Sequence, residues 1–181
     1  IANKYYLLTI GQEYQMSDTW SNETNIGLNI SDFENPFILD YKSDNQQVFS
    51  LRSEFKNELN LAGKAVNLTY GIEQQRSFFD GKNFGNVNGE ADTIRFADEI
   101  ETEQRLLFAN VDYQVNEGLN LTFGMSRNSL QYDINRTIDK INNAPQEFLK
   151  EFDAVWSPRL AVSQRLNKDY SIHLSVMKGF S

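Results

Sequence analysis

The chain has 181 residues, 40% hydrophobic, 23% charged and 13% aromatic, which excludes a disordered tail and fits one domain or one piece of a larger one. It has no cysteine and one histidine, which excludes disulfide scaffolds, thiolate zinc sites, cysteine catalysis and multi-histidine metal centres. A net charge of 17 − 25 = −8 offers no basic face for duplex nucleic acid.

The dominant pattern is alternation of apolar and polar residues, the period of a β-strand. In the first predicted strand Tyr6, Leu8, Ile10 and Tyr14 share a face. In the second, Trp20, Ile26, Leu28 and Ile30 oppose Ser21, Glu23, Asn25, Gly27 and Asn29. The third sets Phe49, Leu51, Phe55 and Leu59 against Ser50, Arg52, Glu54 and Lys56. The fourth sets Val66, Leu68, Tyr70 and Ile72 against Asn67, Thr69, Gly71 and Glu73. Leu107, Ala109, Val111, Tyr113 and Val115 mark the fifth, although Leu106 and Phe108 interrupt its polar face. Leu119, Leu121, Phe123 and Met125 mark the sixth. A short helix is predicted over Pro145–Phe152, with Pro145 in its first turn. The seventh strand places Leu160, Val162 and Leu166 against Arg159, Ala161, Ser163 and Arg165. The eighth places Tyr170, Ile172, Leu174 and Val176 against Ser171, His173 and Ser175.

The expected fold is therefore all-β, an antiparallel up-and-down meander of about eight long strands. Residues 1–181 read as a single segment. Short turns are predicted at Ser17–Thr19, Leu61–Lys64, Asn116–Gly118 and Asn167–Asp169, where Gly, Asn, Asp and Ser suit tight hairpins. Long loops are predicted near 31–47, 75–101 and 131–155. Short and long connections alternate, so a meander gathers the turns at one rim and the loops at the other.

Apolar alternation fits either a soluble barrel with a dry core or a membrane barrel with its apolar face on lipid. Three features favour the membrane. The strands look about 9–12 residues long, enough to cross a bilayer when tilted. Their polar faces carry charges that a dry core excludes. Long loops at one rim and tight turns at the other suit an outer-membrane barrel. Tyr14, Trp20, Tyr113 and Tyr170 near the turns fit an interfacial girdle.

The stretch Trp156-Ser-Pro-Arg-Leu-Ala-Val-Ser-Gln-Arg-Leu-Asn-Lys-Asp-Tyr-Ser-Ile-His-Leu-Ser-Val-Met-Lys-Gly-Phe180 resembles a late-barrel hairpin of TonB-dependent outer-membrane receptors. In that family a Ser-Pro-Arg strand, a short Asn/Lys/Asp turn and a strand ending in Gly-Phe recur. The hairpin Leu107–Met125 is similar in style. The resemblance implies a bacterial outer-membrane location and part of a larger barrel around a plug. It implies outer-membrane lipid, the remaining barrel and the plug as partners, and a ferric chelate, cobalamin or glycan as imported ligand. It implies no enzyme activity and no cofactor. Eight strands are too few for that barrel and no plug is visible, so the chain reads as an internal piece. A complete eight-stranded barrel with an adhesive or structural role, and a soluble all-β binding module, are the alternatives.

The candidate ligand contacts are Phe78, Phe79, Phe84 and Arg95, all in the predicted 75–101 loop. Asp80, Glu90, Asp92, Asp98, Glu99 and Glu101 lack the spacing of a calcium loop and read as a solvated face, so no metal site is assigned. Arg52, Arg105, Arg159 and Arg165 are expected to pair with Glu54, Glu103 or Asp112, with Arg105 on the apolar side of its strand near a rim. His173 reads as a hydrogen-bonded lining residue.

Overall fold

The computed structural model describes residues 1–142 and 146–179. Eight strands follow in chain order: β1 (Ala2–Ser17), β2 (Trp20–Pro36), β3 (Asp40–Leu61), β4 (Lys64–Val87), β5 (Glu90–Gln114), β6 (Leu119–Asp139), β7 (Gln146–Arg165) and β8 (Ser171–Met177). They form one antiparallel sheet in the order β1-β2-β3-β4-β5-β6-β7-β8. The expected all-β meander is the fold observed, and all four predicted short turns join strands.

The three long loops are a different matter. From β1 to β7 the strands run from 16 residues in β1 to 25 in β5, and they absorb the segments predicted as loops. Between β2 and β3 only Phe37–Leu39 lie outside the strands, and between β4 and β5 only Asn88 and Gly89. Residues 131–139 and 146–155 are strand as well. The predicted helix is also overturned: Phe148 pairs with Ile134 and Phe152 with Leu130 across a β-ladder. Pro145 itself lies outside the described residues.

The hairpin turns explain how such long ladders close. Asn88 and Gly89 take φ of 57° and 90°, the mirror-image turn whose twist matches paired strands. The Gly89 N–H donates to Asn86 Oδ1 at 2.8 Å. Ala62 and Gly63 repeat this geometry, with φ of 51° and 79°.

Register assigns the faces. Leu8, Leu28 and Phe49 are cross-strand partners, as are Ile10, Ile26 and Leu51. Directly opposed residues share a face, so the predicted apolar faces merge into one, here termed the Leu28 face. On β7 and β8, Leu160 opposes Val176 and Val162 opposes Leu174 on that face, while Ser163 opposes His173 on the other, the Asn25 face.

The sheet buries almost nothing by itself. Among the described residues Ala97 is the one buried apolar side chain, whereas Leu8, Ile26, Phe123 and Leu174 are more than half exposed. Fully burying such a side chain is worth about 1.5–3 kcal/mol. An eight-stranded sheet that forgoes this on every strand needs its apolar side chains covered by something beyond the described residues.

Candidate functional site

The apolar face changes sides along the strands. Near the short turns, Val66, Leu68, Tyr70 and Ile72 of β4 lie on the Leu28 face beside Tyr113, Val111, Ala109 and Leu107 of β5. Further along, the same face carries Gln74 and Arg76 opposite Arg105 and Glu103. The Asn25 face turns apolar over the same stretch: Phe79 opposes Ile100, Leu130 opposes Phe152, and Ile134 opposes Phe148. Leu106 and Phe108, which interrupt the polar face of β5, are where this reversal begins.

A bulge completes the arrangement on β7. Asn128 pairs with Val155 but Leu130 pairs with Phe152, so β7 advances one residue further than β6. Strict alternation would put Trp156 and Phe152 on one face. The bulge instead sends Trp156 to the Leu28 face, opposite Arg127, and Phe152 to the Asn25 face. Phe152 meets Tyr132 edge-on at 6.0 Å, and the Lys150 ammonium stands 4.8 Å from its ring centroid. Higher on the same face Arg136 holds Asp98 through two contacts of 2.6 and 2.9 Å and lies 5.0 Å over the Phe96 ring.

Asp139 closes this end of β6. Its Oδ1 accepts the backbone N–H of Asn142 at 2.8 Å and of Ile141 at 3.0 Å, and its Oδ2 accepts the Asn142 side chain at 3.1 Å. The Asn142 backbone donor, then its side chain, holds the Asp139 carboxyl below the usual carboxylate range.

The half of the Asn25 face nearer the turns carries paired charge. Arg52 bridges Glu54 at 2.8 Å and Glu73 at 2.9 Å, and Lys56 reaches Glu23 at 3.3 Å and Glu54 at 3.4 Å. The Arg52 guanidinium lies 5.0 Å over the Phe108 ring. Phe108 in turn covers Gly71, where a Cβ would run into the Ser53 carbonyl and meet the ring at 2.8 Å. The expected Arg52–Glu54 and Arg105–Glu103 pairs both form. Arg165 donates to the Glu117 carbonyl at 2.9 Å instead of pairing with a carboxylate, and Asp112 takes the Thr122 hydroxyl. His173 exchanges a 3.1 Å hydrogen bond with Ser171 on the Asn25 face.

The four predicted ligand contacts are dispersed. Phe79 joins the apolar half of the Asn25 face, opposite Ile100 and Gln46. Phe78, its neighbour on β4, points to the other face, against Phe49 at 6.3 Å and under Arg76. Phe84 packs edge-on against Tyr41 at 6.5 Å beside the β4–β5 turn. Arg95 donates to the Leu39 carbonyl at 2.9 Å, tying that hairpin to the β2–β3 connection. Tyr132, Phe148, Phe152 and Arg136 escape the sequence reading. Their signal is the period-two run Leu130, Tyr132, Ile134, which runs into the segment assigned to a loop.

Residues 2–181 match the family described as TonB dependent receptor-like, beta-barrel. The chain belongs to that family. Its sheet superposes on the ferric citrate transporter FecA in the unliganded form with a TM-score of 0.78 at 10% identity, covering 97% of this chain and 27% of that one. The ferripyoverdine receptor of the outer membrane of Pseudomonas aeruginosa gives 0.78 at 14% identity, covering 94% and 26%. The siderophore receptor PiuA from Acinetobacter baumannii gives 0.74 at 9% identity, covering 96% and 32%. The chain thus spans about a quarter to a third of these solved receptors. No curated protein sequence matches it.

As part of an outer-membrane barrel of this family, the sheet presents the apolar half of its Leu28 face to lipid and its Asn25 face to the lumen. Tyr14 and Trp20 lie beside the first turn at the edge of the lipid band, as a girdle requires. The reversal of faces then has a physical cause. Where the strands leave the bilayer their outer side meets water and turns polar, so apolar side chains gather inside.

Proposed function

We propose that this sheet forms part of the lumen wall and outer vestibule of a receptor that imports a ferric chelate across the outer membrane. Further strands complete the barrel and a plug domain occupies its lumen. The observation that carries the reading is the reversed half of the lumen face. Phe79, Tyr132, Phe148 and Phe152 give it aromatic surface, and Lys150 supplies a cation beside one ring. Aromatic walls with a few fixed polar groups suit a compact, partly anionic ligand. The ferric citrate and ferripyoverdine receptors among the similar structures favour a ferric chelate over cobalamin or a glycan. Phe84 and Arg95 act at the tip of the β4–β5 hairpin as an outer contact, whereas Phe78 stands on the other side of the wall. Nearer the turns, the charged band from Glu23 to Glu73 faces the plug.

The test is a binding titration on the complete receptor with a panel of ferric chelates, cobalamin and oligosaccharides. Exchanging Tyr132 and Phe152 for alanine together is expected to weaken chelate binding about tenfold with strand content unchanged. Identical chelate affinity in parent and variant would remove the vestibule assignment. Tight binding of cobalamin or a glycan alone would replace the ligand class.

A further inference from the structure

Three unpaired cations of the lumen face stand on one strand. Lys150, Arg159 and Arg165 all lie on the Asn25 face of β7, opposite Tyr132, Gly124 and, on β8, Ser171. Among the described residues none of the three is in an ion pair. Lys150 stands by the Phe152 ring and Arg165 donates to the Glu117 backbone carbonyl. Arg52, Lys56 and Arg136, by contrast, are held by carboxylates.

Charge is spread unevenly across this wall. Nearer the turns, the lumen side of β1–β4 carries Glu13, Glu23, Glu54, Glu58 and Glu73 against Arg52 and Lys56. On β7 the carboxylates leave the lumen: Glu147 and Glu151 sit opposite Asn135 and Gln131 on the outer side. The lumen side of β6 carries no carboxylate from Asn120 to Arg136, and that of β8 carries none. Asp153 remains, inside the β7 bulge. Asp112, on β5 two strands away, takes the Thr122 hydroxyl. In a chain of net charge −8, an uncompensated line of cations is a feature of position rather than composition.

The line runs the length of the wall. Arg159 lies six residues from Arg165 and nine from Lys150, about 20 Å and about 30 Å of strand. Lys150 therefore stands in the aromatic vestibule, Arg159 in the membrane-spanning half and Arg165 beside the short turns. Between Arg159 and Arg165 the lumen side of β7 carries only Ala161 and Ser163, and Gly124 opposite Arg159 has no side chain. We propose that the lumen side of β7 is the path of a partly anionic chelate from the vestibule toward the periplasm, between barrel wall and plug, with Arg159 as its midway contact. Arg and Lys lining a narrow, low-dielectric passage select anions and concentrate them about tenfold or more. The path rests on the chelate reading of the vestibule. A plug carboxylate seated on Arg159 is the competing occupant and makes that residue an anchor for the plug.

The experiment uses the complete receptor in energised cells. The chain has no cysteine, so Ala161→Cys places a new thiol on the lumen side two residues from Arg159. It is treated with a sulfonatoethyl (negative) or a trimethylammonioethyl (positive) thiosulfonate, with the parent as background. Relative to a free thiol in solution, the negative reagent is expected to be favoured about tenfold. Adding Arg159→Gln should remove that preference, and Arg159→Lys should keep it. This readout needs no ligand. The second readout is uptake of radiolabelled iron from ferric citrate and the other ferric chelates of the binding panel. Arg159→Gln should slow uptake about tenfold at unchanged binding affinity. A thiol without charge preference, or one that neither reagent reaches, overturns the path whatever the ligand. So does parent-like uptake by the Arg159→Gln receptor, or slowed uptake accompanied by easier proteolysis of the plug, which marks an anchor. A parent that binds no chelate yet keeps the charge preference removes the chelate reading and leaves an anion path standing.

Discussion

Replacing Ile26 by arginine places a charge in the lipid band, and the geometry says how deep. Ile26 lies six residues beyond Trp20 on β2 and is 56% exposed on the Leu28 face between Ile10 and Leu51. Six strand residues span about 20 Å, or about 15 Å along the membrane normal at a tilt of about 40°. With Trp20 at the interface, position 26 falls near the midplane of a hydrocarbon layer about 30 Å thick. An arginine there costs about 2–4 kcal/mol. The adjacent Asn25→Arg variant sends its charge to the lumen, beside Glu23, which already accepts the Asn25 side chain at 3.1 Å. It should change stability by less than about 1 kcal/mol. The assay is reversible guanidinium unfolding of the complete receptor in lipid vesicles, followed by tryptophan fluorescence. A neutral Ile26→Arg, or an Asn25→Arg that costs as much, would show that the lipid and lumen faces are assigned the wrong way round.

Three further outcomes follow from particular contacts. Ala62 sits at φ 51°, a conformation costly for a residue with a Cβ; Ala62→Gly should stabilise the β3–β4 hairpin by about 0.5–1 kcal/mol in the same unfolding assay. Gly71→Ala forces a Cβ against the Ser53 carbonyl and the Phe108 ring and should cost about 1–3 kcal/mol, with Phe108→Ala relieving only the part due to the ring. The Asp139 carboxyl is depressed by its Asn142 donors, so its contribution to the β6 end is complete above the unfolded carboxylate pKa of about 4 and disappears as pH falls through the lower folded value. Amide exchange at Ile141 and Asn142, corrected for intrinsic rates, should therefore be protected at neutral pH and lose that protection in acid. In Asp139→Asn it should be pH-independent.

Strand identity, pairing order and the short turns were legible because they are local. Leu28 between Gly27 and Asn29, or Leu174 between His173 and Ser175, declares its face without reference to the rest of the chain. Asn167 and Asp169 declare a turn in the same way. The residues that carry the site were not legible, because alternation alone does not say which face is wet. Tyr132 and Phe148 belong to strands whose outer side has left the bilayer, so their apolar side chains fall on the face that is polar nearer the turns. The bulge between Val155 and Phe152 also breaks the period on which the sequence reading depends, which is why that stretch read as helix and loop. The Arg52–Glu73 pair exists only through register: the two residues are far apart in sequence and become neighbours when the β3–β4 ladder aligns. Period two was determined by the sequence, whereas depth in the membrane and cross-strand adjacency were decided by the assembled sheet, since only pairing turns sequence positions into a surface.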